Sequence, residues 1–421
     1  MSKKLSPHPY YRLFTLLCIS ACLSACSDSD KNLETAQPLV TLDPQVISSY
    51  APEHWVYATD ADGNLLDIKK TTSRERLVLT TTRPIDHFNL TIVSASGQAS
   101  GAPTYLNIET YADVDRGSTF EARYGVGFTL RDPVSVAFKL NGYDGPPQGV
   151  WFTNRGSHTD YQETIAGGTL HANLLMGGLP SDVLLTTYRH GAPVYAKIQG
   201  VKGGDQIELD MHANFTPFEH QRKLNFDGYN SANVAGAYLD SSGKIASLYF
   251  DILDTDRLAG SQDATDQPLI GYIDGFDIYQ MNLVNYQTSG AVAYHKQGNL
   301  TSSFESFTMP TFTFKVLDTN FPRFTYEFSE DFTYYTASFT YDAGIAFMHW
   351  TIYAPQGKQV KIGNIPADIA AVYPMLQPEA FRYGACELTK VINGYTYKES
   401  ILRRQHGQAD EFEDYVFIPH P

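Results

Sequence analysis

Short runs of strand-forming residues, each about ten residues from the next and separated by turn residues, constrain this chain more than any other feature. Tyr105-Leu106-Asn107-Ile108-Glu109-Thr110-Tyr111 alternates cleanly. His54-Trp55-Val56-Tyr57-Ala58-Thr59 reads as a strand, Asp60-Ala61-Asp62-Gly63-Asn64 as a tight turn, and Leu65 resumes a strand. Arg76–Thr81 and Phe88–Val93 continue the pattern. A period of two places alternate side chains on one face of a pleated strand, and many such strands at short spacing indicate packed antiparallel sheets. Composition agrees: aromatic residues reach 13%, with 28 Tyr and 24 Phe, while charged residues are only 18%. Tyr, Phe, Thr and Val suit a half-buried pleated surface, and 32 Gly and 22 Pro supply the punctuation. The expectation is an all-β protein of tandem antiparallel, Ig-like β-sandwich units after a disordered tether.

The amino terminus has a different texture. Lys3, Lys4 and Arg12 precede the apolar run Leu13–Leu23, which ends on Leu23-Ser24-Ala25-Cys26. A basic start, a short hydrophobic centre and small residues before a cleavage point make a secretory signal peptide. The segment is too short to span a bilayer comfortably. Leu-Ser-Ala-Cys resembles the bacterial lipobox. That resemblance implies cleavage before Cys26, lipid on its thiol and a further acyl chain (palmitate-like) on the new terminus. It further implies the outer membrane, because Ser27 is not the aspartate that retains such proteins at the inner membrane. The alternative is an ordinary signal peptide with a coincidental cysteine. Cleavage also removes Cys18 and Cys22, leaving Cys386 as the one unmodified cysteine, so the mature chain holds no internal disulfide. Cys386 reads as a small core residue, with a catalytic thiol as the alternative.

The expected order is a signal peptide over 1–25, a flexible tether over 26–50, sandwich units over 51–130 and 131–215, and a larger β-rich region of one or two units over 216–421. Within the tether, Leu39–Leu42 is the stretch that reads as strand. Val150-Trp151-Phe152-Thr153, Ala237-Tyr238-Leu239-Asp240-Ser241-Ser242-Gly243 and His349-Trp350-Thr351-Ile352-Tyr353 echo the opening at 54–63. These echoes fit either a duplicated module or the common grammar of strand, polar turn, Gly and strand. The first unit resembles transthyretin-like or carboxypeptidase-regulatory-like modules at Val56–Asn64, with Gly204–Leu209 closing the second. The resemblance implies structural or recognition domains. Ile365–Tyr373, with Pro near its start, predicts one short helix, and the end near Phe417 predicts a last strand.

Removing Lys3, Lys4 and Arg12 takes the formal charge from −15 to −18. Such a surface repels phosphate backbones, so nucleic acid is not an expected partner. Asp60-Ala61-Asp62-Gly63-Asn64 carries alternate oxygen-bearing side chains, as calcium loops do, but Asp-Gly with Asn is also ordinary turn chemistry. The densest acidic group is Asp251, Asp254, Asp256, Asp263 and Asp266. It reads as a solvated loop, or as a candidate calcium site through Asp254, Asp256, Asp263 and Asp266; no other cofactor is expected. The aromatic run Phe324–Tyr341 is the candidate ligand-binding strip, through Tyr326, Phe328, Tyr334, Tyr335 and Tyr341. It reads as one long hairpin turning at Ser329-Glu330-Asp331, serving as core and rim, as a protein interface or as a platform for sugar rings. His158, His171, His190, His212 and His220 show no metal spacing, and no catalytic motif is present. The functional expectation is a membrane-anchored recognition or scaffold module for an envelope protein or polysaccharide. The alternatives are an envelope glycan hydrolase working through a carboxylate pair, which leaves no local motif, and a structural subunit of a surface assembly.

Overall fold

The computed structural model describes residues 36–43, 53–72, 74–99, 102–120, 133–145, 149–154, 157–158, 161–176, 180–224, 230–245, 249–256, 258, 269–300, 308–321, 324–344, 346–403 and 411–420. Residues 1–35, including the leader and Cys26, lie outside them. The first region contains β1 (Gln37–Leu42), β2 (His54–Thr59), β3 (Leu65–Thr71), β4 (Leu77–Thr81), β5 (His87–Ala99), β6 (Ala102–Asp115) and β7 (Ser118–Phe120). The second contains β8 (Val134–Asn141), β9 (Val150–Asn154), β10 (Ser157–His158), β11 (Tyr161–Ala166), β12 (Thr169–Met176), β13 (Ser181–Arg189), β14 (Ala192–Val201), β15 (Gln206–Asp210) and β16 (Thr216–Pro217). The third contains β17 (His220–Lys223), β18 (Asn230–Ala237), β19 (Phe250–Asp254), β20 (Leu269–Tyr272), β21 (Ile278–Gln287), β22 (Gly290–Gly298), β23 (Phe314–Asp318), β24 (Thr325–Phe328), β25 (Tyr334–Asp342) and β26 (Phe347–Pro355). Helix α1 (Ala367–Val372), β27 (Arg382–Asn393), helix α2 (Tyr397–Arg403) and β28 (Phe412–Pro419) close the chain. The protein is all-β with sandwich packing, as the alternation predicts. Helix α1 falls where Pro366 starts the predicted helical stretch.

Residues 134–217 form a sandwich of two sheets, β11-β12-β8-β15 and β10-β9-β13-β14-β16. Their inner faces enclose a core that includes Phe138, Leu140, Phe152, Leu174 and Leu185. The first and third regions, expected as separate units, contribute strands to one sheet in the order β19-β18-β21-β22-β28-β27-β25-β26-β6-β5-β2-β3. The join is parallel pairing of Tyr105–Tyr111 in β6 with Phe347–Tyr353 in β26. Trp350, fully buried, donates from Nε1 to Thr110 Oγ1 at 3.0 Å, and the Thr110 and Thr91 hydroxyls lie 3.0 Å apart. The buried polar groups at the join are therefore satisfied across three strands.

One face of this sheet carries two cores. Trp350, Phe339, Ile108 and Leu388 pack beneath the β23–β24 hairpin and the segment holding Ile369 and Phe381. Farther along, Met281, Leu283 and Tyr294 pack with Leu184 and Tyr188, which project from the outer side of the second region's sandwich. The opposite face is covered by the small sheet β4-β1-β7 and by α2, through Leu39, Leu42, Phe120, Tyr397 and Ile401. Strand β1 corrects the expected tether. Leu39, Val40 and Leu42 are buried, and the strand pairs on both edges, with β4 and β7, so six residues suffice to dock it.

The echo of the Asp60 turn at Asp240 has a local cause. In both turns the aspartate carboxylate accepts the backbone N–H groups two and four residues on (Asp62 and Asn64; Ser242 and Lys244), and Gly63 and Gly243 both adopt positive φ.

Burial pushes the Tyr57 hydroxyl from 10.0 up to about 12, against a smaller opposing effect from its hydrogen bond with Thr91, and burial likewise raises Tyr279 to about 12. Unfolded tyrosine loses its proton near 10 while these two keep theirs, so their stabilising contribution is complete below pH 10 and declines as pH rises towards 12. Tyr57 alone withdraws on the order of 2 kcal/mol once that range is crossed. Phenolate absorbance and circular dichroism recorded together should show these tyrosines ionising with unfolding; ionisation of every tyrosine near pH 10 with the fold intact would contradict their placement.

Candidate functional site

The aromatic run is not an open platform. Tyr334 and Tyr335 are 6% and 7% exposed and point to opposite faces of the large sheet. Tyr326, Phe328 and Tyr341 are half-buried against the Trp350 core. Nor do Phe324–Phe328 and Tyr335–Tyr341 form one hairpin. Strand β24 pairs back onto β23, and the two lie across the faces of β25 and β27, where Phe324 packs edge-on against Phe339 and stacks on Tyr383 at 4.9 Å. The run thus serves as core and its cover, because a ring every second residue is also what a sheet needs to bury a broad face.

The acidic group lies at the end of β19. Asp254 accepts the Asp256 N–H at 3.1 Å, which makes a turn, while Asp263 and Asp266 lie outside the described residues. Among the described residues no group of three His, Cys, Asp or Glu side chains is arranged to hold a metal ion. The Asp60 carboxylate is committed to Asp62 N–H, to Asn64 N–H and side chain, and to Arg83, the pattern of a self-satisfied turn. Cys386 is buried in the core, and burial pushes its thiol pKa upwards, which disfavours the thiolate a nucleophile needs. Of the scattered histidines, His220 stacks on Tyr272 at 4.2 Å and bonds to Asp274 at 2.9 Å, and His190 occupies a turn at positive φ.

Two polar constellations arise from pairing that no local motif announces. In the first, Asp414, 4% exposed, accepts from Tyr395 on one oxygen and lies 3.0 Å from His295 Nδ1 on the other. It sits cross-strand to His295 on β28 and β22, on a face that continues to exposed Tyr286 and Ile418.

The second surrounds a cleft of about 50 Å³ where β5 and β6 slip register. Asn89 opposes two residues, Ala112 and Asp113, so β6 bulges, and Asp113 takes φ +56°. A non-glycine residue in this left-handed region costs about 1–2 kcal/mol, which its side-chain contacts must offset. Asp113 pairs with Lys358 at 3.1 Å and Lys398 at 3.8 Å. Lys398 also holds Asp115, which lies 2.8 Å from His87 Nδ1. Tyr397 adds a hydroxyl within bonding distance of the Ala112 and Tyr353 carbonyls, donating to one at a time. The bulge therefore binds β6, the loop after β26 and helix α2 together. Ala61 reaches the cleft because the Asp60 turn presses on the strap at 361–363. A Cβ on Gly363 would lie 1.9 Å from the Gly63 carbonyl oxygen, and Lys361 pairs with Asp62 at 2.7 Å.

Asn89 is 8% exposed and lines this cleft. Its Oδ1 accepts the Asp113 N–H at 3.3 Å, which fixes the amide orientation, and its Nδ2 has no partner among the described residues. Asn89, Asp113 and Lys358 carry no sequence signal beyond Asp113 and Asp115 interrupting an apolar strand two residues apart.

Comparison with models of protein families and with curated proteins finds no match to this chain.

Because the left-handed backbone rather than the ion pairs alone sets the cost at position 113, Asp113→Gly should be more stable than Asp113→Ala by about 1 kcal/mol. Chemical denaturation of the two variants checks this; equal stabilities would mean the bulge relaxes when the carboxylate is removed.

Proposed function

We propose that the mature chain is an outer-membrane lipoprotein, anchored through Cys26, that recognises an envelope component without transforming it. The carrying observation is the state of the acids at the cleft. Asp113 and Asp115 are both engaged by Lys398, and each has a second partner, Lys358 and His87 respectively. Glycoside hydrolysis needs one carboxyl poised to donate a proton and another free to attack or to activate water. Carboxylates committed to ammonium and imidazole partners suit binding better. The hydrolase reading retains one observation in its favour, that these two acids stand two residues apart on one strand beside a cleft.

Strand β1 adds geometry to the anchoring. Ten residues separate Cys26 from Gln37, and an extended chain reaches at most about 3.5 Å per residue, so the body stands within about 35 Å of the lipid. A protein held so close suits a ligand within or beside the same membrane. Two or three acyl chains, at about 0.8 kcal/mol per buried CH₂, make release negligible.

Metabolic labelling with a fatty acid should mark the native chain, while Cys26→Ser should stay unlabelled and unprocessed. Labelled protein retained on immobilised envelope polysaccharide, with no release of reducing ends, is the expected result. Turnover of that polysaccharide, abolished by Asp113→Asn or Asp115→Asn, would replace recognition with hydrolysis.

A further inference from the structure

The geometry points to a ligand class for the bulge cleft: a neutral saccharide bound through a pair of adjacent hydroxyls. The inference rests on the recognition reading above and deepens it. Three observations carry it. First, the Asn89 side chain, on a residue only 8% exposed, lines the cleft, and its amide nitrogen has no partner among the described residues. A ligand oxygen could accept from this nitrogen without breaking any hydrogen bond within the protein. Second, the polar groups around it are mixed. Asn89 and Lys358 donate, and Asp113 accepts. A sugar hydroxyl both donates and accepts, so adjacent hydroxyls can place one hydrogen on the Asp113 carboxylate while their oxygens accept from Asn89 and Lys358. Ala112 and Val360 form an apolar part of the wall.

Third, the charges balance. Asp113 and Asp115 stand against Lys358 and Lys398, and His87 is held by Asp115. Of these, Asp113 and Lys358 line the cleft, so an incoming anion meets the Asp113 carboxylate and an acidic protein, and an incoming cation meets the Lys358 ammonium. A neutral polar ligand meets neither penalty. The volume, about 50 Å³, holds about four waters, which suits the edge of one sugar ring rather than a whole chain.

The test uses the full-length lipoprotein in a zwitterionic detergent whose headgroup is not a sugar. Saturation-transfer NMR would follow methyl glycosides of neutral hexoses, with acetate and methylammonium as charged probes. The expected result is saturable binding of at least one glycoside and of neither ion. Asn89→Asp keeps an oxygen to accept from Asp113 N–H, removes the amide donors and adds a negative charge beside Asp113; it should weaken binding about tenfold or more. Lys358→Gln, at an exposed side chain outside the core, should weaken it severalfold while circular dichroism shows the fold retained. Binding of acetate or methylammonium in place of glycosides would overturn the assignment, as would the absence of glycoside binding. Glycoside binding unaltered in both variants would also overturn it, while leaving saccharide recognition standing at another surface. Failure of the recognition reading itself would show separately, as loss of retention on every envelope polysaccharide.

Discussion

The parallel pairing of β6 with β26 is the constraint on which the rest of the large sheet depends. It joins residues about 240 positions apart, as the hydrogen bond from Trp350 to Thr110 records. Tyr353 stacks on Tyr111 across the same join, with ring centroids 4.9 Å apart and planes within 8°. On one face the pairing completes the core around Trp350, and on the other the core beneath β1 and α2. A buried indole N–H and two buried threonine hydroxyls satisfy one another there, so the join excludes water without leaving an orphaned donor. Contacts this distant in sequence must be closed before they stabilise anything, which predisposes the chain to slow folding.

The candidate cleft is a product of that join. Helix α2 and the loop after β26 reach the β5–β6 bulge only because β26 lies beside β6. Lys358 and Lys398 then meet Asp113 and Asp115, and the left-handed backbone at Asp113 is held by ion pairs to two separate segments. The same arrangement turns the Asn89 amide inwards with its nitrogen unspent. Strain, charge pairing and an unfilled donor thus arise together from one bulge, a combination that rigid binding sites use to hold polar groups in advance of the ligand.

Much of the fold is legible in the sequence because alternation and turn chemistry are local. His54–Thr59, the Asp60 turn, helix α1 and the final strand follow from residues within a few positions of each other. Which strands become neighbours is not local. Nothing near Tyr105–Tyr111 specifies Phe347–Tyr353 as its parallel partner, and nothing in the sequence shows that one sheet resumes after the intervening sandwich of residues 134–217. The aromatic run illustrates the same gap. Its period gives strands and a buried face, but whether Tyr335 meets solvent or the β23–β24 hairpin depends on a pairing fixed elsewhere. Asn89 is unremarked in the sequence for the same reason: its significance lies in what β6 and the loop after β26 place around it.

Amide hydrogen exchange on the full chain, resolved by peptide mass spectrometry, tests the single large sheet most directly. The account predicts that peptides from β6 and β26 share the same slow exchange and open together with β25 and β5. Exchange of residues 54–115 as a separate, less protected unit, while 334–419 stays closed, would contradict the join and with it the origin of the cleft.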